Sequence, residues 1–217
     1  MIKIPDVEKM PTEGGMTWTA RSRFVDGYRV ERFNMLMSHL TKFETAVDVG
    51  SHVGSWSIEL SKKFNMVFAY EPNLQSFELL KSNISDSGQA AKIIPYNLAV
   101  GASSKSISMS AGQKGPISSM VDEATTGDVK MTTLDEEGLR DVSLIKIHCN
   151  GYELEVLRGA EHLIDRDLPE IFVVMKKNKR VESNVEMVVS LLARHGYEVK
   201  YANKPDWLFS YTGVFHG

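Results

Sequence analysis

The feature that most constrains the fold is a short apolar run that ends in a glycine turn. The run covers residues 46–49 and contains one acid, Asp48, and the turn covers residues 50–54. Apolar side chains then recur at helical spacing at Trp56, Leu60 and Phe64. The pattern predicts a buried strand, a tight turn and a helix. In open α/β sheets this is the unit at which nucleotide-like ligands bind.

The rest of the chain alternates buried strands with amphipathic helices. A helix is predicted over residues 26–41, and strands are predicted over residues 66–70, 93–100, 142–149, 171–175, 197–201 and 207–211. Such alternation is typical of an α/β protein with a mostly parallel, doubly wound sheet. We therefore expect an N-terminal arm and helix over residues 1–44 and a single domain over residues 45–217.

One long segment interrupts this alternation. Residues 101–128 are rich in glycine, serine and threonine and carry only short alternating stretches. Connections of this length are usually functional or disordered. We expect short strands and a mobile flap near the ligand pocket.

Composition excludes several classes of protein. The net charge of −3 argues against a general nucleic-acid binder, which usually carries a broad basic face. Cys149 is the only cysteine, so no disulfide can form within the chain and a reducing compartment is expected. Residues 1–10 lack the apolar segment of a secretory signal, and no apolar run is long enough to span a bilayer. We therefore expect a cytoplasmic protein without a nucleic-acid or membrane partner.

The turn after the first strand indicates the kind of ligand. It lacks the Gly-x-Gly-x-x-Gly fingerprint of dinucleotide sites, so it suits a ligand without a pyrophosphate, such as S-adenosylmethionine. The strand-end carboxylate and the turn would hold the amino-acid end of that ligand. The predicted contacts are Asp48, Gly50, Ser51, His52 and Gly54. The alternative is a strand–helix turn that binds no ligand.

A second group of residues follows the next two strands. Glu71 ends the second predicted strand, about 20 positions after the turn, where an acid binds ribose hydroxyls. Pro72 and Asn73 continue that turn. Asn97 and Ala99 lie at the end of the third predicted strand and would line the adenine. The alternatives are a solvated loop acid at Glu71 and ordinary strand residues at the other two positions.

The strand predicted over residues 142–149 carries unusual polar residues. Lys146, His148 and Asn150 share one face if the strand stays extended, although buried parallel strands are normally apolar on both faces. His148 is a candidate general base, because imidazole exchanges protons near neutral pH. Lys146 and Asn150 would orient an acceptor or stabilise its developing oxyanion. The alternative for His148 is a structural histidine, and Cys149 is interpreted as a small buried apolar residue.

A basic run and the absence of certain catalytic motifs complete the sequence pattern. The basic run at residues 176–180 is either a solvated loop or a basic lip for an acidic substrate. No metal-ligand spacing, Ser-His-Asp arrangement or P-loop is present in the sequence. No metal is expected.

Taken together, these motifs resemble the FkbM-type S-adenosylmethionine-dependent methyltransferases. The resemblance rests on residues 47–54, 70–72, 144–147 with 151–160, and 196–199. It implies a Rossmann-like class I methyltransferase fold. This is a mostly parallel seven-stranded sheet with helices on both faces and an antiparallel last strand. It also implies methyl transfer, usually to a hydroxyl of a sugar or secondary metabolite.

The chain departs from the family pattern at the second motif. The family usually reads Lys-Ile-Asp-x-Glu-Gly, whereas His148 replaces the aspartate and Asn150 the glutamate; Lys176 stands near a further family glutamate. The resemblance predicts an O-methyltransferase with a small-molecule or glycan acceptor. The alternative is a non-catalytic S-adenosylmethionine-binding module that diverged from the enzymes. A nicotinamide dehydrogenase is disfavoured because the glycine triad is missing.

Overall fold

The computed structural model describes residues 28–112, 115–122, 127–175 and 181–215 of the 217-residue chain. Its helices are α1 (Tyr28–His39), α2 (Ser55–Ser61), α3 (Leu74–Asp86), α4 (Glu153–Arg158), α5 (Glu161–Asp167) and α6 (Val181–Arg194). Its strands are β1 (Thr45–Val49), β2 (Met66–Tyr70), β3 (Ile93–Tyr96), β4 (Ala99–Val100), β5 (Lys105–Gly112), β6 (Gly115–Asp122), β7 (Val129–Thr132), β8 (Val142–Ile147), β9 (Glu170–Val174), β10 (Tyr197–Asn203) and β11 (Asp206–Tyr211).

Seven strands form the central sheet in the order β10-β11-β9-β8-β1-β2-β3. All neighbouring pairs from β9 to β3 are parallel, and β11 is antiparallel to both of its neighbours. Every residue of β1 and β8 is buried, as expected for central parallel strands that are covered on both faces. The predicted mostly parallel sheet with an antiparallel last strand is confirmed.

Helices cover both faces of this sheet, as predicted. Residues of α1, α2 and α3, such as Leu36, Leu60 and Leu80, pack on one face. Residues of α4, α5 and α6, such as Leu157 and Leu192, pack on the other. Burial of these apolar side chains is the main force that holds the helices to the sheet.

The third predicted strand divides into two. β3 ends at Tyr96, and Ala99 begins β4 in a different sheet. Between them, the side-chain amide of Asn97 donates to the carbonyl oxygens of Glu71 and Pro72, at 2.9 and 3.1 Å. The chain therefore leaves the central sheet at Asn97, where a side chain takes over the hydrogen bonding from the ladder.

A second sheet accounts for most of the segment predicted as a flap. It has four strands in the order β4-β7-β5-β6, with β5 and β6 paired as an antiparallel hairpin. Strands were predicted there, but β5 and β6 are eight residues each and longer than expected. The mobility of this segment stays a prediction.

Other predicted features lie outside the described residues, namely the N-terminal arm up to residue 27 and the basic run at residues 176–180. Among the helices that are described, none has the length and apolar character needed to cross a bilayer.

Candidate functional site

The turn after β1 is fastened to the end of β2. The backbone N–H groups of Gly50 and Ser51 both donate to the carbonyl oxygen of Tyr70, at 3.0 and 3.1 Å. The Ser51 hydroxyl donates to the carbonyl oxygen of Asp48 at 2.7 Å, and the N–H of Gly54 donates to the carbonyl oxygen of Ser51. The turn is thus rigid, and these N–H groups are already used within the protein.

Both glycines of the turn have left-handed backbones that are closely approached by other parts of the protein. Gly50 has φ +77°, and a Cβ built on it would overlap the carbonyl oxygen of His148. Gly54 has φ +88°, and its Cβ would lie 2.6 Å from Cδ1 of Leu80. Gly50 therefore lets the end of β8 meet the turn, and Gly54 lets α3 pack beside it. Only glycine meets both demands without strain.

Glu71 joins the turn after β1 to the turn after β2. Its Oε2 accepts from the N–H of His52 and its Oε1 from the N–H of Asn73, both at 2.8 Å. The residue is only 7% exposed. Burial raises the pKa of Glu71 to about 7, against the lowering effect of the two backbone donors. Two of the predicted cofactor residues, His52 and Glu71, are therefore in direct contact.

The other predicted cofactor residues have structural partners. The side chain of Asn73 caps α3 by accepting from the N–H of Ser76 at 3.0 Å. The side-chain amide of Asn97 donates to the backbone carbonyl oxygens of Glu71 and half-buried Pro72, as described above. Ala99 lies in β4, packed with Ile107 and Met131 of the second sheet. Asn73 and Asn97 thus build the Glu71 turn, whereas Ala99 lies in a separate apolar cluster.

Asp48 and Lys146 form a buried ion pair next to the turn. Lys146 Nζ lies 2.7 Å from Oδ1 of Asp48 and 3.3 Å from the carbonyl oxygen of Gly50. The Ser57 hydroxyl donates to Oδ2 of Asp48 at 2.6 Å. Asp48 is fully buried and Lys146 is 2% exposed. The two residues pair because β1 and β8 are neighbours with Asp48 opposite Lys146, a contact that opposite charges on two buried strands could have signalled.

The polar face predicted for residues 146–150 is interrupted. β8 ends at Ile147, not at residue 149. The N–H of His148 still donates to the carbonyl oxygen of Val49 at 3.0 Å. Asn150 then has φ +57°, which is incompatible with an extended strand. Lys146, which is still part of β8, lies beneath the turn, and half-buried His148 borders it. Because of the bend, Asn150 follows in the next loop and does not continue the face of the strand.

One residue at this site was missed in the sequence. Glu153, the first residue of α4, is 1% exposed, and its Oε1 accepts from the N–H groups of Cys149 and Gly151 at 3.2 and 3.1 Å. Burial raises the pKa of Glu153 and also that of the Cys149 thiol. The signal that could have found it is an acid at the first residue of a predicted helix, directly after the Asn150-Gly151 turn, where a carboxylate can accept N–H groups of the preceding loop.

Among the residues that the structure describes, no group of three or more His, Cys, Asp or Glu side chains is arranged to hold a metal ion.

Comparisons with known proteins identify a family and a fold. The family model of the methyltransferase FkbM domain matches residues 48–199. A methyltransferase FkbM structure from Methylobacillus flagellatus KT superposes with a TM-score of 0.58 and 19% identity, over 80% of this chain and 46% of the other. The chain thus spans less than half the length of that protein. A search of curated protein sequences found no match.

Two further solved structures share the fold over nearly their whole length. Precorrin 8w decarboxylase from Methanobacterium thermoautotrophicum has a TM-score of 0.53 and 18% identity, over 86% of this chain and 90% of that one. Precorrin-6y C5,15-methyltransferase from Geobacter metallireducens GS-15 has a TM-score of 0.52 and 16% identity, over 83% and 86%. At such identities the likeness concerns the arrangement of the sheet and helices.

Proposed function

This chain belongs to the FkbM methyltransferase family, and from that membership we propose that it is an S-adenosylmethionine-dependent O-methyltransferase. Its fold is the Rossmann-like class I methyltransferase fold. The proposed acceptor is a hydroxyl on a sugar or secondary metabolite. A small-molecule or glycan acceptor in the cytoplasm, rather than a nucleic acid, is favoured by the net charge of −3 and the single cysteine.

The observation that carries the proposal is the contact between Glu71 and the turn after β1. A carboxylate has about four lone-pair positions, and backbone N–H groups of His52 and Asn73 use two of them. The two that remain match the two hydroxyls of a ribose. Glu71 is therefore suited to bind a nucleoside at the junction of the two turns.

The hydrogen bonding of the turn also fits the rest of this ligand. The N–H groups of Gly50, Ser51, His52 and Gly54 are used within the protein, so this part of the site offers hydrogen-bond acceptors more than donors. S-adenosylmethionine presents donors in its ribose hydroxyls and its ammonium, whereas its carboxylate would need donors other than these four N–H groups. The residues present are compatible with that group.

The chemistry on the protein side is alignment and proton transfer. Bound S-adenosylmethionine would supply an electrophilic methyl carbon on a sulfonium, with the neutral thioether sulfur as its leaving group. The protein has to hold the acceptor oxygen in line at about 3 Å and to exclude water. His148 receives the hydroxyl proton as the new C–O bond forms, and Asn150 orients the acceptor. Lys146 hydrogen-bonds the carbonyl oxygen of Gly50 and so supports the turn that would hold the ligand.

A non-catalytic S-adenosylmethionine-binding module is the second candidate. It is favoured by His148 and Asn150, which replace the acids of the family pattern, and by Lys146, whose ammonium is committed to Asp48. In this alternative the cofactor half of the site would bind, and no transfer would follow.

Isothermal titration with S-adenosylmethionine and S-adenosylhomocysteine tests the shared part of both candidates. Binding that Glu71→Ala weakens, and that Glu78→Ala on the exposed face of α3 leaves unchanged, would support the site. A screen of glycans and hydroxylated metabolites for S-adenosylhomocysteine release then separates the candidates. Release with an acceptor supports the enzyme, and tight binding without release supports the module. No binding of either compound contradicts both.

A further inference from the structure

We propose that Glu153 is a positioning residue, which holds the loop carrying His148 and Asn150 by accepting two of its backbone N–H groups. The loop comprises residues 148–152, between β8 and α4. Its consequence for methyl transfer rests on the function proposed above. The positioning itself does not, because it concerns only the shape of the unliganded loop.

The loop needs such support because its backbone is unusual. Asn150 has φ +57° and Gly151 has φ +102°, so two successive residues have positive φ. Glycine and asparagine adopt positive φ at the least cost, so the backbone alone does not fix this conformation. Contacts with Glu153 are therefore needed to hold the middle of the loop and with it the position of the Asn150 side chain.

Glu153 supplies these contacts from a fixed position. Its Oε1 accepts from the N–H groups of Cys149 and Gly151, which lie on either side of Asn150. Glu153 itself is anchored by α4, since Leu154 and Leu157 of that helix are buried in the core. The helix thus holds the carboxylate, and the carboxylate holds the middle of the loop.

The two ends of the loop are attached elsewhere. At one end the N–H of His148 donates to the carbonyl oxygen of Val49 in the central sheet. At the other end Tyr152 packs beside Ala99, Ile107 and Met131 of the second sheet. A change at Glu153 should therefore displace the middle of the loop while both ends keep their contacts.

The two oxygens of Glu153 allow geometry to be separated from charge. Oε2 is buried and has no hydrogen-bond partner among the described residues. Glu153→Gln can therefore keep an oxygen toward both N–H groups and loses no bond at the other atom. Glu153→Asp keeps the charge but withdraws the oxygens by one methylene. The proposal predicts that Gln resembles the parent and that Asp does not.

Cys149 provides the readout, since it lies in this loop and is the only cysteine of the chain. Because burial raises the pKa of the Cys149 thiol well above its ordinary value, its reaction with iodoacetamide is measured on the full chain from about pH 7 upward until the rate levels off, which yields the limiting rate of the thiolate. This limiting rate is needed because the Glu153 charge raises the thiol pKa, so that Gln alters the fraction of thiolate. Loss of the two hydrogen bonds should raise the limiting rate about tenfold in Glu153→Asp and Glu153→Ala.

The expected order is that Glu153→Gln stays within about threefold of the parent while Glu153→Asp and Glu153→Ala react about tenfold faster. Glu155→Gln is the matched control, because Glu155 lies on the same helix and pairs with Arg158 at the surface. The opposite order, with Asp like the parent and Gln reactive, would overturn the proposal, as would equal rates in all variants. If Glu153→Ala does not fold, the limiting rates of Glu153→Gln and Glu153→Asp still test the proposal.

A second measurement connects the loop to catalysis. With an acceptor found in the screen, Glu153→Asp should lower kcat about tenfold or more and leave KM for S-adenosylmethionine unchanged, while Glu153→Gln restores kcat. Absence of any methyl transfer would contradict the proposed function but not the thiol result. Unchanged thiol rates in a chain that transfers methyl groups would contradict only the role of Glu153.

Discussion

The Nζ atom of Lys146 lies 2.7 Å from Oδ1 of Asp48, in the interior between the central strands β8 and β1. Neither side chain is exposed by more than 2%. The pair lies directly under the turn, because the same ammonium also reaches the carbonyl oxygen of Gly50. It therefore connects the stability of the sheet to the shape of the candidate ligand site.

Removal of one member of this pair should be strongly destabilising. Lys146→Met leaves a buried carboxylate without its counter-charge, which should lower the free energy of unfolding by about 3–5 kcal/mol. Urea denaturation measures the change. The double variant Asp48→Asn/Lys146→Met should be more stable than Lys146→Met alone. Lys62→Met, which breaks an exposed pair with Glu59, is the control and should cost less than about 1 kcal/mol. Equal losses from Lys62→Met and Lys146→Met would contradict this interpretation.

A methyl group at Gly50 should be far more costly than one at Gly88. Both glycines have positive φ, +77° and +71°, but only Gly50 has a neighbour in the way, the carbonyl oxygen of His148; a Cβ on Gly88 would meet nothing within 4 Å. Gly88→Ala should therefore lower the free energy of unfolding by about 1 kcal/mol. Gly50→Ala should lower it by roughly 1–3 kcal/mol more than Gly88→Ala, because of the overlap. The midpoints of guanidinium unfolding compare the two. Similar losses would show that the contact between the turn and β8 is not tight.

The affinity for S-adenosylhomocysteine should depend on pH through Glu71. The ionised carboxylate accepts hydrogen bonds from ribose hydroxyls, and its pKa is raised to about 7 by burial. Below that pH the affinity should fall, approaching about tenfold per pH unit. Isothermal titration over this range measures it. Glu71→Gln should bind more weakly and show no such dependence. A parent affinity that stays constant through neutral pH would contradict the assignment of Glu71 to the ribose.

The same carboxylate should make the stability of the protein depend on pH. Its folded pKa of about 7 lies above the ordinary value of 4.5, so the folded state retains a proton that the unfolded state has already lost. The free energy of unfolding should thus fall as pH rises from about 4.5 to about 7, by on the order of 3 kcal/mol from this group, and then level off. In Glu71→Gln this contribution should be absent, so the difference between parent and variant in urea denaturation should change over the same range. If the difference in the free energy of unfolding between the parent and Glu71→Gln is the same at every pH, the raised pKa of Glu71 is contradicted.

Loss of the candidate base should separate binding from turnover. His148→Ala should keep its affinity for S-adenosylmethionine and lower kcat about 100-fold or more, the usual contribution of general-base catalysis. Single-turnover assays with an acceptor from the screen measure the rate. His162→Ala removes an exposed histidine of α5 and is the control, with unchanged rates expected. A His148→Ala variant that methylates as fast as the parent would show that His148 is not the base.

Much of the architecture could be predicted from local sequence patterns. The strand at residues 66–70 was predicted with its observed bounds, and the antiparallel end of the sheet followed from the family resemblance. Such features depend on the periodicity of apolar residues, which is visible in a single sequence. Strand ends were predicted less well, because they depend on side-chain contacts such as those of Asn97 with Glu71 and Pro72.

The sequence by itself determined the alternation of strands and helices, the glycine turn after β1 and the acid after β2, because burial patterns and glycine positions are local properties. Only the tertiary structure decided what these residues touch. The register between β1 and β8 pairs Asp48 with Lys146, and the contact of Asp48 with the amino-acid end of a ligand stays a prediction. The sequence assigned no role to Glu153, whereas the structure shows that its carboxylate accepts two N–H groups of the loop at residues 148–152. The first outcome depends on a contact between strands that are distant in sequence. The second depends on the bend at Asn150 and on the burial of α4, which the periodicity of apolar residues does not reveal.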